Sequence, residues 1–308
     1  MQTMTRTLGS TLLERIGNTP LIRLDGIAAH LPDIVLLGKA EWANPGGSIK
    51  DRAAASIVAD AEARGVLRGR RLLDATSGNT GIAYAMLGAA MGFPVTLCMP
   101  SNVSPERKMI LSAYGAEIIW TDAAEGSDGA ILKARELATD DSRYYYADQY
   151  GNDANWRAHY RSTANEIWRQ TEGQITHFVA GLGTSGTFVG VTRRLKELAP
   201  RVQCIAMQPD SPFHGLEGLK HMASAIVPRI YDSSLADRMV DQSTESAYEM
   251  AKLLARSQGL LVGISAAAAV AASLRIAEEE ASAGREAVIV TILCDSAEKY
   301  LSERFWRQ

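Results

Sequence analysis

Between residues 34 and 293, short apolar runs rich in β-branched residues alternate with stretches of helical periodicity. That alternation restricts the fold more than any other feature of the chain. Strands are predicted at Ile34–Lys39, Arg71–Ala75, Pro94–Met99, Glu117–Thr121, Arg143–Ala147, His177–Ala180, Gln203–Met207 and Ala287–Leu293. Helices are predicted at Ile49–Arg64, Gly81–Met91, Glu106–Tyr114, Ala130–Ala138, Trp156–Gln170, Thr187–Leu198 and Ser246–Gln258. Strands and helices in this order argue for an α/β fold with mainly parallel sheets. Glycine-rich turns fall at the strand ends, where open α/β sheets bind their ligands.

The chain has 308 residues, enough for two ordinary domains. A net charge of −3 gives no reason to expect nucleic acid or an anionic membrane as a partner. The opening MQTMTRTLGST carries no apolar stretch behind Arg6, so it does not read as a secretory signal. The weakly polar run Ala266–Leu274 is far too short to span a membrane. A cytoplasmic protein is therefore expected. Cys98, Cys204 and Cys294 lie far apart and form no C-x-x-C pair, which points to buried, reduced thiols. The five histidines lack ligand spacing, and no metal is expected.

Three turns carry the chemistry. The first, Asn44-Pro45-Gly46-Gly47-Ser48-Ile49-Lys50-Asp51-Arg52, joins a strand to a helix. The second is Thr76-Ser77-Gly78-Asn79-Thr80-Gly81, and the third is Gly183-Thr184-Ser185-Gly186-Thr187. A glycine-rich turn alone says little, because most such turns only permit close packing or positive φ. Lysine, however, is the side chain that forms a Schiff base with an aldehyde. A glycine-rich loop opening a helix offers backbone N–H groups and a favourable dipole to an anion. Two such loops suit two anions.

In order, spacing and identity these segments resemble the cysteine synthase family of fold-type II pyridoxal-phosphate enzymes. The resemblance runs from Asn18-Thr19-Pro20-Leu21 to Tyr300-Leu301-Ser302. It implies two doubly wound α/β domains, similar to tryptophan synthase β, with the active site in the cleft between them. Residues 43–150 would be the smaller, mobile domain, and residues 1–42 with 151–308 the larger one. The cofactor implied is pyridoxal 5′-phosphate, joined to Lys50, which would also move the substrate's Cα proton. Asn79 would hydrogen-bond the cofactor's ring hydroxyl. Gly183, Thr184, Ser185, Gly186 and Thr187 would hold its phosphate, and Ser265 would face its pyridine nitrogen. A neutral hydroxyl there leaves the ring a weaker electron sink, which favours β-elimination over transamination. Thr76, Ser77, Thr80 and Gln149 would bind the substrate α-carboxylate. The chain departs from the family after Ser265: Ala266-Ala267-Ala268 stands where Ser or Thr and then Gly are usual.

Within the family, Ser185 and Cys294-Asp295 ahead of Tyr300-Leu301-Ser302 point to the cysteine synthase B branch. The activity implied is β-replacement, making L-cysteine from O-acetyl-L-serine or O-phospho-L-serine and sulfide or another sulfur donor. Lys220 falls near the position where some phosphoserine users carry arginine, so it is a candidate substrate contact. Homocysteine or an amine as nucleophile is one alternative. A weakly active regulatory relative, partnered for example with a serine acetyltransferase, is another. The resemblance also implies a homodimer, and leaves a sulfur-carrier protein open as donor.

Overall fold

The computed structural model describes residues 9–307. The segment around Arg6 lies outside them. The described chain builds two sheets. The larger contains β1 (Leu21–Arg23), β2 (Ile34–Ala40), β7 (His177–Gly181), β8 (Gln203–Pro209), β9 (Arg238–Gln242) and β10 (Ala287–Leu293), in the order β1-β2-β10-β7-β8-β9. The smaller contains β3 (Arg71–Ala75), β4 (Val95–Pro100), β5 (Glu117–Thr121) and β6 (Tyr144–Tyr146), in the order β5-β4-β3-β6. Every pairing is parallel except β1 with β2.

Parallel strands are buried on both faces, so helices cover each side. They are α1 (Asp25–Ala28), α2 (Lys50–Ala63), α3 (Asn79–Met91), α4 (Pro105–Ala113), α5 (Gly126–Asp140), α6 (Asp153–Arg161), α7 (Thr163–Gln170), α8 (Gly186–Leu198), α9 (Thr244–Gln258) and α10 (Ile264–Ser282). One face of the larger sheet packs Val179 and Ile289 against Ala251, Leu254 and the alanines of α10. Its other face packs Phe178 and Val290 against Phe188, Val191 and Ile167. The smaller sheet packs Leu72 and Leu97 against Ile57 and Ile82 on one side, and Leu73 and Cys98 against Ile131 on the other. Ala266, Ala267 and Ala268 are wholly buried in α10. Alanine there favours the helix and keeps its wall thin, so α10 can lie close on the sheet.

Two sequence expectations change. The single helix predicted over Trp156–Gln170 is two, α6 and α7, broken at Ser162, where ψ is −71° and φ −117°. The Ser162 hydroxyl bonds back to the Ala158 carbonyl at 2.7 Å and receives Arg52 Nη1 at 3.1 Å, which draws the turn out of line. The short edge strands β1 and β9 were not legible in the pattern. Among the described residues, no helix is long and apolar enough to cross a membrane.

Candidate active site

Four helices begin at one cleft of about 680 Å³. Lys50 is the first residue of α2, Asn79 of α3 and Gly186 of α8, while Ser265 is second in α10. Helix N-termini leave N–H groups unpaired and carry partial positive charge, so their convergence makes the cleft a place for anions. Its walls include Lys50, Thr76, Ser77, Asn79, Thr80, Gln149, Gly183, Thr184, Ser185, Thr187, Lys220 and Ser265. Gly186 stands just behind, where a Cβ would lie 2.0 Å from Asn155 Oδ1.

The loop after β7 is built for close approach. A Cβ on Gly183 would sit 2.1 Å from the Gly218 carbonyl oxygen, and Ser185 takes left-handed backbone geometry at φ 64°. Asn155 Nδ2 ties this loop to Gln149 by donating to Thr184 Oγ1 at 3.1 Å and to the Gln149 carbonyl at 2.7 Å. The Thr187 hydroxyl lies 3.4 Å from His159 Nε2. Burial, with Arg52 and Lys50 nearby, holds that imidazole well below its ordinary pKa, so it is neutral.

The loop after β3 is arranged differently. Thr76 Oγ1 accepts the N–H groups of Gly78 at 3.1 Å and Gly81 at 3.2 Å, which leaves its own hydrogen free to donate. Thr80 donates to Gln149 Oε1 at 2.8 Å, and Gln149 Nε2 donates to the Ala75 carbonyl at 2.6 Å. Arg107 reaches under the loop from α4, donating to the Ser77 carbonyl at 3.1 Å and pairing with Glu217.

Lys50 is steered by its surroundings. Ser48 Oγ accepts its N–H at 3.2 Å, and the neighbouring Arg52 is locked in a buried network with Glu41 and Glu166. Asp51 accepts the Gly46 N–H at 2.5 Å, and burial pushes its carboxyl up to about 7. Cys294, half-buried, lines the cleft, whereas Cys98 and Cys204 are fully buried. Burial raises its thiol to about 11, so it is not a ready nucleophile.

Lys220 is almost wholly buried at the mouth. It is not a free cation: its Nζ lies 2.5 Å from Asp128 Oδ1 and 3.2 Å from Ser127 Oγ, with the Tyr150 ring centroid at 5.2 Å. Sequence reasoning missed Arg107, which lines the cleft, and Asn155 and Lys299, which hold cleft residues from behind through Thr184 and Asn79, because each comes from a segment without a motif. Among the described residues no group of three or more His, Cys, Asp or Glu is placed to hold a metal.

These residues fit a phosphorylated aldehyde. A lysine amine, a helix-capping loop for a dianion and a second anion loop share one cavity of suitable size. Comparison with known proteins agrees. Residues 12–295 match the family described as pyridoxal-phosphate dependent enzyme. A cysteine synthase of Aquifex aeolicus is 51% identical over 296 residues, covering 95% of this chain and 90% of the relative. A cysteine synthase B of Pseudomonas aeruginosa is 44% identical over 293 residues, covering 95% and 96%. The crystal structure of an O-ureido-L-serine synthase superposes with a TM-score of 0.90 at 38% identity, covering 97% of this chain and 96% of that one.

Proposed function

This chain belongs to the cysteine synthase family of pyridoxal-phosphate dependent enzymes, and from that membership we propose that it makes L-cysteine from O-acetyl-L-serine and sulfide. Pyridoxal 5′-phosphate is its cofactor, and the reaction is a transfer at the β-carbon of a serine-type substrate. The observation that carries this reading is the convergence of Lys50 and four helix N-termini on one cleft.

Once bound, the cofactor withdraws electrons from the substrate's Cα, which eases loss of the Cα proton and then of the β-substituent. The residues do the rest. Gly183–Thr187 hold the cofactor phosphate with backbone N–H groups and hydroxyls. Ser265 would face the ring nitrogen and Asn79 the ring hydroxyl. Thr76, Ser77, Thr80 and Gln149 take the α-carboxylate, with Thr76 the readiest donor. The Lys50 amine removes the proton at Cα and returns it after sulfide has added at the β-carbon. The unit of residues 43–150 moves toward the larger one as substrate binds, excluding water.

The Lys220–Asp128 pair favours acetate as the leaving group, because a phosphate would have to displace Asp128 from the only charge Lys220 offers. Sulfide is the simplest donor, and a protein of the same fold is an O-ureido-L-serine synthase. A cytoplasmic homodimer without a membrane partner completes the reading, to be checked by light scattering.

The test is a visible spectrum of the purified protein before and after O-acetylserine or O-phosphoserine, followed by sulfide and cysteine assay. A Schiff-base band that moves with O-acetylserine and returns with sulfide is expected. Lys50→Ala should abolish both the native band and turnover. A band in the wild type that neither substrate moves would overturn the assignment.

A further inference from the structure

The Asn79 amide is gripped from both sides by groups at the far end of the chain. Lys299 Nζ donates to Asn79 Oδ1 at 3.0 Å, and Asn79 Nδ2 donates to Asp295 Oδ2 at 2.7 Å. An ammonium has only donors and an ionised carboxylate only acceptors, so these two partners admit one orientation of the amide. The reversed orientation would face NH₂ toward NH₃⁺ and C=O toward COO⁻.

The grip is itself built. Asp295 is fully buried, and its Oδ2 also accepts the Tyr300 hydroxyl at 2.6 Å. The Arg107 guanidinium lies 4.7 Å from the centroid of the Tyr300 ring. Gly263 leaves room for the carboxylate, since a Cβ there would stand 2.0 Å from Asp295 Oδ1. Lys299, nearly buried, also donates to the carbonyls of Gly46 at 3.4 Å and Gly47 at 3.1 Å, in the turn that leads to Lys50. With one Nδ2 hydrogen given to Asp295, the amide has one left to offer the cleft.

We propose that Lys299 and Asp295 are positioning residues that set the polarity of the Asn79 amide, so that it presents N–H rather than C=O to the cofactor's ring oxygen. The inference rests on the placement of Asn79 against that oxygen given above. An N–H donor stabilises the ionised oxygen, whereas a carbonyl there favours the protonated one. The proton shared between the ring oxygen and the Schiff-base nitrogen reports the difference, because its two positions give separate absorption bands.

The band ratio is measured on holoenzyme for the wild type, Asn79→Ala, Lys299→Met, Lys299→Arg and the Asn79→Ala/Lys299→Met double variant. Lys299→Met should shift the ratio by about threefold or more toward the neutral-oxygen form, as expected for a lost charge-assisted hydrogen bond. Lys299→Arg should restore it. The double variant should go no further than Asn79→Ala alone, since Lys299 then has nothing to orient. Should Lys299→Met not fold, Lys299→Leu, which likewise lacks a donor, carries the same comparison.

If Asn79→Ala shifts the ratio while Lys299→Met leaves it alone, the inference is wrong. Full additivity in the double variant overturns it too, placing the effect of Lys299 in the Gly46–Gly47 turn. If Asn79→Ala itself moves nothing, the placement of Asn79 fails and takes the inference with it. A wild type without a Schiff-base band refutes the cofactor assignment instead.

Discussion

Thr76 accepts two backbone N–H groups and keeps its hydroxyl hydrogen, so it can donate without surrendering what it already holds. Thr76→Val removes that donor at nearly constant volume, and with it the acceptor of the Gly78 and Gly81 N–H groups. The KM for the amino-acid substrate should rise by about tenfold or more, with the cofactor spectrum unchanged; an unaltered KM would remove Thr76 from the carboxylate site. Asp51 makes a different prediction. Its carboxyl is raised to about 7 by burial, so the folded protein holds a proton that the unfolded chain releases near pH 4. Stability therefore falls as pH climbs from about 4 to 7, and the cost is fully present above that window. Asp51→Asn removes the titration, so its stability relative to wild type should improve by up to about 1.4 kcal/mol per pH unit across the window. Urea unfolding at pH 5 and pH 8 checks the sign. Lys50 and Asn79 were legible because their neighbours form contiguous motifs. Lys299 was not, since its partners Gly46, Gly47 and Asn79 lie in the first third of the sequence and meet it only through the fold.

Loops and helices carry their own consequences. The turn between β7 and α8 passes so near the 215–220 segment that Gly183→Ala would drive a methyl into the Gly218 carbonyl. Backbone cannot step aside as a flexible side chain does, so the turn itself must shift. Affinity for pyridoxal phosphate should drop about tenfold or more while the far-ultraviolet dichroism of the protein is kept; equilibrium dialysis measures it. Binding at wild-type strength would mean that the loop tolerates movement. The periodicity found the long buried elements well: the predicted Arg71–Ala75 and Ala287–Leu293 are β3 and β10. It failed where side chains override it. At Ser162 a hydroxyl competes for a helical carbonyl, and that competition leaves no trace in an apolar pattern. Strand β9 is mostly exposed along a sheet edge and contains Arg238 and Asp241, so its run never looked apolar.

Across the whole molecule, the connection between β8 and β9 grips the half built on the smaller sheet. Three ion pairs do so: Arg107 with Glu217, Lys220 with Asp128 and Arg229 with Asp148. The Ile226 N–H also reaches Asp128 Oδ2 at 2.8 Å. Asp128→Asn should keep that last bond and release the charge of Lys220 at the mouth. The ratio of kcat/KM for O-phosphoserine to that for O-acetylserine should then increase by about tenfold, in line with a charge-assisted contact to phosphate. An unchanged ratio would show that Lys220 does not face the leaving group.

The strand order has a consequence for synthesis. Strand β10 lies between β2 and β7, at the centre of the larger sheet, yet of the described strands it is the last to be made. A growing chain can pair β3 to β6 as they emerge, but β2 must wait beside an empty position until the ribosome has passed Leu293. Asp295 and Lys299 follow within one further turn of chain. The nascent protein thus acquires the centre of its larger sheet and the grip on Asn79 almost together, and a transcript cut short before them yields a product lacking both.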